Sequence, residues 1–236
     1  MKNRNICDKI FVSGETTKET MIIDGIKKDK IVVSGIPRFG ALFKENKYIK
    51  TKKSRRINML FLGSAFRWHG MVKLEKEEKE ILLQLEGFAK VNRDIVDIFL
   101  KKHPRDNIAK NYQFLKNINI VENNKLNNYE IIQEFDLIIC ANLISTLIFE
   151  SLCLNKMCIF LFPNKNDKIA NEKKLRESVL IGKNFTDLKN ILINIYNNKI
   201  DNRLYGNNKN YYISERSEFS DEIISKNIIN EVNYLN

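Results

Sequence analysis

What this chain lacks narrows it first. No stretch approaches the roughly 18 consecutive apolar residues of a membrane span. The N-terminal residues Met1 to Asp8 hold no apolar core of the kind a secretory signal carries, so a cytoplasmic location is expected. Cysteine is scarce. The four residues Cys7, Cys140, Cys153 and Cys158 form no CxxC pair, and three of them stand in apolar context, where cysteine behaves as a small hydrophobe. That pattern fits a reducing compartment and excludes a disulfide framework and a zinc knuckle. There is no GxGxxG after a strand, no GxxxxGKS or GxxxxGKT, and no GxSxG, which argues against dinucleotide, P-loop and esterase chemistry. No acidic cluster has metal-ligand spacing, so neither a metal nor an organic cofactor is expected. No basic stripe interleaved with aromatics appears, so nucleic acid is not an expected partner.

What is present describes a foldable α/β chain. Its 236 residues suffice for one large domain or a domain plus a fragment, and 43% are hydrophobic, enough for a packed core. The formal net charge of +11 comes from lysine spread along the whole length. It reads mainly as composition, with an anionic substrate and a membrane surface as modest contributors. The densest basic run, residues 50–56, reads as a solvated linker.

Hydrophobic patterning gives the elements. Residues 9–12 and 30–34 predict strands around a short helix at 17–24, ended by Gly25. Pro37 and its flanking glycines then stop regular structure. A new strand is expected at 57–62 and a long helix at 72–91, its apolar stripe following a charged first turn. Strands follow at 95–100 and 118–121, a brief helix at 129–135, and an apolar strand at 137–140. The polar pair Ser145 and Thr146 then opens an apolar helix carrying Leu147, Ile148, Phe149, Leu152 and Leu154, and residues 157–162 form the next strand. Beyond lie a charged helix at about 168–177, a weak edge strand at 179–181, a helix at 185–196 with Thr186 as its cap, and a closing helix at 222–235. Alternating strands and helices predict a Rossmann-like parallel sheet with helices on both faces.

If the sheet is parallel throughout, three strand ends share one edge: Gly63-Ser64, His103-Pro104-Arg105 and Ser145-Thr146. Ligands of such sheets bind at the carboxyl ends of the strands, and a helix N-terminus there suits a phosphate. The three loops offer small residues that let backbone N–H groups approach, a cationic pair with an imidazole, and two hydroxyls. His103 has the chemistry to donate a hydrogen bond to a leaving phosphate, with Pro104 fixing the turn that aims it. Arg105 is either a phosphate ligand or the partner of a surface carboxylate. Glu150 lies four residues after Thr146 and is read either as an acceptor for ribose hydroxyls or as an exposed helix residue. Arg67, Trp68 and His69, after the first of these strands, are weighed as ligand contacts, Trp68 as a base-stacking or core-covering ring.

These residues resemble a known group. Lys9-Ile-Phe-Val-Ser-Gly14 with Lys30-Ile-Val-Val-Ser-Gly-Ile-Pro-Arg-Phe39, then His103-Pro104, then Ser145-Thr146 with Glu150, Asn155 and Lys156, resemble bacterial surface-carbohydrate glycosyltransferases of the GT-B fold. That group includes capsule Kdo transferases, polysialyltransferase-like enzymes and CDP-glycerol glycerophosphotransferases. Where many relatives carry Asp after Pro-Arg-Phe, this chain has Gly40. The resemblance implies a CMP- or CDP-activated donor held by His103 and Ser145/Thr146, inverting transfer, and a saccharide or lipid-linked acceptor at the inner membrane face. It implies residues 1–40 as the end of an acceptor lobe, 41–56 as linker, 57–218 as the donor lobe and 219–236 as a C-terminal helix. The remaining acceptor lobe, which in this group usually holds the catalytic base, is expected to be lost to a split or truncated gene or to be supplied by a partner chain. A non-catalytic nucleotide-binding module, or one subunit of a split transferase, is the alternative.

Overall fold

A computed structural model of the chain describes residues 7–36, 56–66, 68–106, 112–121, 127–142, 145–162, 177–197 and 199–200. The expected linker core, the helix at 168–177, Arg67 and the closing helix lie outside the described residues. Two compact units are present, one holding residues 7–36 and the other residues 56–200.

The first unit is a small βαβ. Strand β1 (Ile10–Val12) runs parallel to β2 (Ile31–Val33), with helix α1 (Glu15–Ile23) between them. Val12, Ile26 and Ile31 form its buried centre, flanked by Ile10, Met21 and Val33. Gly25, at φ 89°, makes the turn out of the helix that a side chain would oppose.

The second unit is a six-stranded sheet with every pairing parallel. Its strands are β3 (Ile57–Leu62), β4 (Val96–Lys101), β5 (Ile118–Val121), β6 (Leu137–Ala141), β7 (Met157–Leu161) and β8 (Leu180–Gly182). Their spatial order is β5-β4-β3-β6-β7-β8. The chain steps outward from β3 through β4 to β5, then returns to the other side of β3 and steps outward again. This is the doubly wound order, and the reversal between β3 and β6 is its topological switch point. Parallel strands covered on both faces need apolar side chains at nearly every position. Every residue of Leu-Ile-Ile-Cys-Ala in β6 and of Met-Cys-Ile-Phe-Leu in β7 is buried.

Side chains alternate across the sheet. Met59, Phe61, Ile98, Leu100, Leu137, Ile139, Ile159 and Leu161 share one core with helix α2 (Val72–Val91) and helix α5 (Phe185–Tyr196). Helix α2 contributes Ile81, Leu82, Leu85 and Ala89, a stripe at helical spacing. The other face is covered by α3 (Asn128–Gln133) and α4 (Thr146–Cys153), which pack on each other, and α4 packs on β6 and β7. Cys140, Cys153 and Cys158 are buried free thiols, and Cys7 is exposed.

Polar residues set where these helices begin and end. Asn127 and Glu130 form a reciprocal capping box on α3. Ser145 caps α4, its hydroxyl accepting from the Leu147 N–H at 3.3 Å. Helix α4 ends in a Schellman turn: Asn155, at φ 55°, donates to Leu152, and Lys156 donates back to Ser151. The cap of α5 differs from expectation. Asn184, not Thr186, accepts from the Asp187 N–H at 2.8 Å, because the helix already starts at Phe185.

Candidate functional site

The site is built on the carboxyl ends of β4, β3 and β6, which are neighbours in that order. All three strands run the same way, so the three predicted loops leave the sheet at one edge. The His103 and Ser145 loops flank the β3 loop and emerge about 10 Å apart, two strand spacings.

The β3 loop is held from below. Gly63 N–H continues the ladder, donating to the Lys101 carbonyl at 2.9 Å. A Cβ on Gly63 would sit 3.2 Å from that carbonyl and 3.4 Å from Leu100 Cδ1, so close approach of β4 itself calls for glycine. Ser64 N–H donates to Glu78 Oε1 at 2.8 Å, and Glu78 on α2 is only 2% exposed. Both backbone donors expected to approach a ligand are therefore engaged within the protein. Ser64 is half-buried in this loop, and Trp68 and His69 are exposed.

The β4 loop orients its imidazole. Pro104 opens a single 3-10 turn, Pro104–Asp106, and this brings the Arg105 N–H onto His103 Nδ1 at 3.2 Å. A ring nitrogen that accepts a hydrogen bond carries no proton, so the neutral ring holds its proton on Nε2. His103 itself is half-buried. Arg105 lies over the Trp68 ring at 5.3 Å from guanidinium carbon to centroid, tying the β4 loop to the β3 loop by a cation–π contact.

The third wall is the β6–α4 connection. Ser145 is half-buried and Thr146 is exposed on the first turn of α4. Helix N-termini present unpaired N–H groups and partial positive charge. Glu150 does not share the exposure of Thr146. It is 7% exposed, and its charge acts on Lys101, the last residue of β4 and 4% exposed. Burial pushes the Lys101 ammonium below its ordinary pKa, and the Glu150 carboxylate opposes that shift. Neither reading of Glu150 from sequence anticipates a buried charge matched by the protein's own lysine.

Three residues escaped the sequence reading. Lys101 looks like the start of an exposed basic run, yet it completes the strand. Glu78 looks like one more charge in the polar first half of α2. Asn142, directly after β6, sits at φ 61° and is 7% exposed, with its Nδ2 buried and without a hydrogen-bond partner. Leaving such a group unpaired costs about 1–3 kcal/mol. A polar residue between a fully apolar strand and a helix cap was the available signal.

The fold so defined is a Rossmann-like parallel sheet of the GT-B architecture. Solved structures share it. A UDP-GlcNAc 2-epimerase from Neisseria meningitidis, bound to UDP-GlcNAc, matches 94% of this chain and 62% of its own, with TM-score 0.65 and 18% identity. A putative UDP-N-acetylglucosamine 2-epimerase from Listeria monocytogenes matches with TM-score 0.61 and 14% identity, over 97% of this chain and 60% of its own. The wall teichoic acid polymerase TagF matches with TM-score 0.58 and 13% identity, over 95% and 59%. At these identities the likeness is one of fold. This chain spans about three fifths of the length of those proteins. No protein-family model matches it, and no curated protein matches it in sequence. Among the described residues, no helix is long and apolar enough to cross a membrane.

Proposed function

We propose that this chain binds the nucleotide part of an activated donor, as the donor lobe of a surface-carbohydrate transferase. The observation that carries the reading is the switch-point edge. There His103, whose Nδ1 accepts from the Arg105 N–H, and the capped N-terminus of α4 flank the same central strand. Both favour an anion whose charge grows as a leaving nucleotide departs, which is electrostatic catalysis. His103 is the catalytic donor in this reading, and Ser145 and Thr146 hold the phosphate. Gly63, Ser64, Pro104 and Arg105 shape the walls, and Glu150 acts from beneath through Lys101. The sequence resemblance favours a CMP or CDP donor, a saccharide or lipid-linked acceptor, capsule, lipopolysaccharide or teichoic-acid-type polymer synthesis, and work at the inner membrane face. The alternative is a nucleotide-binding module that acts only with a partner chain.

Calorimetric titration with CMP, CDP and UDP tests the reading. The chain is expected to bind a cytidine nucleotide more tightly than UDP. His103→Ala is expected to weaken that binding about tenfold or more with the circular-dichroism spectrum unchanged, the loss of one charge-assisted hydrogen bond. Equal affinity in parent and variant removes His103 from the site. Transfer by the purified chain alone excludes the module reading.

A further inference from the structure

We propose that the side-chain amide of Asn142 is a ligand donor, binding a phosphate oxygen of a nucleoside diphosphate at the switch point. The role rests on the nucleotide-binding reading above and adds a residue to it.

Asn142 is the first residue beyond the central strand β6. Its backbone N–H completes the sheet by donating to the Leu161 carbonyl at 3.1 Å. Its φ of 61° is left-handed, a conformation that glycine takes freely and that asparagine tolerates better than most other residues. If the turn alone mattered, glycine would serve. Instead the position carries an amide that is buried, and whose nitrogen has no partner. Buried polar side-chain atoms are nearly always paired. Among the described residues Asn142 Nδ2 is the buried side-chain nitrogen or oxygen that breaks this rule. It does so beside the reversal between β3 and β6, where doubly wound sheets take their ligands.

The chemistry of the surroundings selects the group. An amide nitrogen only donates, so its partner is an acceptor. Three residues on, Ser145 caps α4, whose first turn brings further N–H groups and partial positive charge to the end of the same strand. An acceptor that suits both is an anion, which in a nucleotide means the diphosphate rather than the base or ribose. A neutral donor also fits the charge already there. Lys101 and Glu150 are a buried opposed pair at this edge, and a second buried cation would unbalance them. The amide adds hydrogen-bond donors and no charge.

Two variants of the full chain test this. Asn142→Gly keeps the left-handed backbone and removes the amide. Asn142→Asp keeps shape and backbone and replaces the donor with a carboxylate. Each is titrated calorimetrically with CDP, UDP and inorganic pyrophosphate, with thermal melts to confirm folding. Asn142→Gly is expected to bind all three about tenfold more weakly than the parent, and Asn142→Asp more weakly still through like-charge repulsion. Asn142→Gly is expected to melt no lower than the parent, because the unpaired amide is gone. Equal nucleotide affinity in parent and Asn142→Gly overturns the inference and leaves the nucleotide reading standing. Amide-dependent pyrophosphate binding without nucleotide binding sustains the amide's role and overturns the nucleotide reading. Binding of none of the three by the parent overturns both. If Asn142→Gly does not fold, Asn142→Asp decides, and an affinity equal to the parent's refutes the proposal.

Discussion

Replacing Lys156 with methionine tests how the helix that caps the site is held. The Lys156 ammonium donates to the Gln133 carbonyl at 2.7 Å and to the Phe135 carbonyl at 2.8 Å, at the end of α3. Its own backbone closes the Schellman turn of α4, so one residue joins both helices on this face. Methionine keeps a stem of similar length and carries no donor. Two carbonyls at a helix end then lose bonds worth about 1.5–3 kcal/mol each to a charged donor. Part of that is offset, because the ammonium is itself costly to bury. Burial pushes its pKa below 10.5, opposed by the charge of Asp136 and then by the Cys158 thiol. A net loss of about 2 kcal/mol follows, and in a chain of this size that lowers Tm by about 4–8 °C. Thermal melts followed by far-ultraviolet circular dichroism, with guanidinium titrations, measure it. Lys73→Met is the control. That side chain is 91% exposed and faces Glu77 at 3.9 Å, and its loss is expected to change stability by less than about 0.5 kcal/mol. A Lys156→Met variant that melts within about 1 °C of the parent refutes the reasoning.

Two further expectations follow from the same edge of the sheet. Gly63→Ala places a methyl 3.2 Å from the Lys101 carbonyl, and is expected to lose about 1–3 kcal/mol in a guanidinium titration; unchanged stability means that packing against β4 is not why glycine stands there. The depressed pKa of Lys156 predicts a pH effect. Between that lowered folded value and 10.5 the unfolded chain binds more protons than the folded one, so this residue's contribution makes stability rise with pH across that window. The stability gap between parent and Lys156→Met therefore widens on going from neutral pH toward 10.5, and a gap that narrows contradicts the assignment.

Much of the sheet could be read from the amino acids because it is buried on both sides. Apolar runs such as Ile57 to Leu62 and Met157 to Leu161 have no amphipathic alternative, and the observed strands match them closely. The stripe in 72–91 and the amphipathic pattern in 185–196 likewise gave helices at those bounds. Strand order was not legible, since a parallel strand carries no local mark of its neighbours. The buried charges were illegible for the same reason. Glu78, Lys101 and Glu150 are ordinary surface residues until tertiary structure sets Glu78 under Ser64 and Lys101 against Glu150. His103 does follow a strand end, but the 3-10 turn that sets the Arg105 N–H on its ring was visible only as a proline.

The seam between β3 and β6 has a consequence for how the edge comes into being. At the opposite end of these strands Asn58 and Asp136, 78 positions apart, clasp each other twice: Asn58 N–H on the Asp136 carboxylate at 2.9 Å and Asp136 N–H on the Asn58 carbonyl at 3.0 Å. Each half of the sheet can gather its own strands from nearby sequence, yet the candidate edge draws on both halves. It exists only once a growing chain has extended past Asn142 and the two halves have zipped together. Weakening that distant clasp would thus delay assembly of the candidate edge without altering a single residue placed on it.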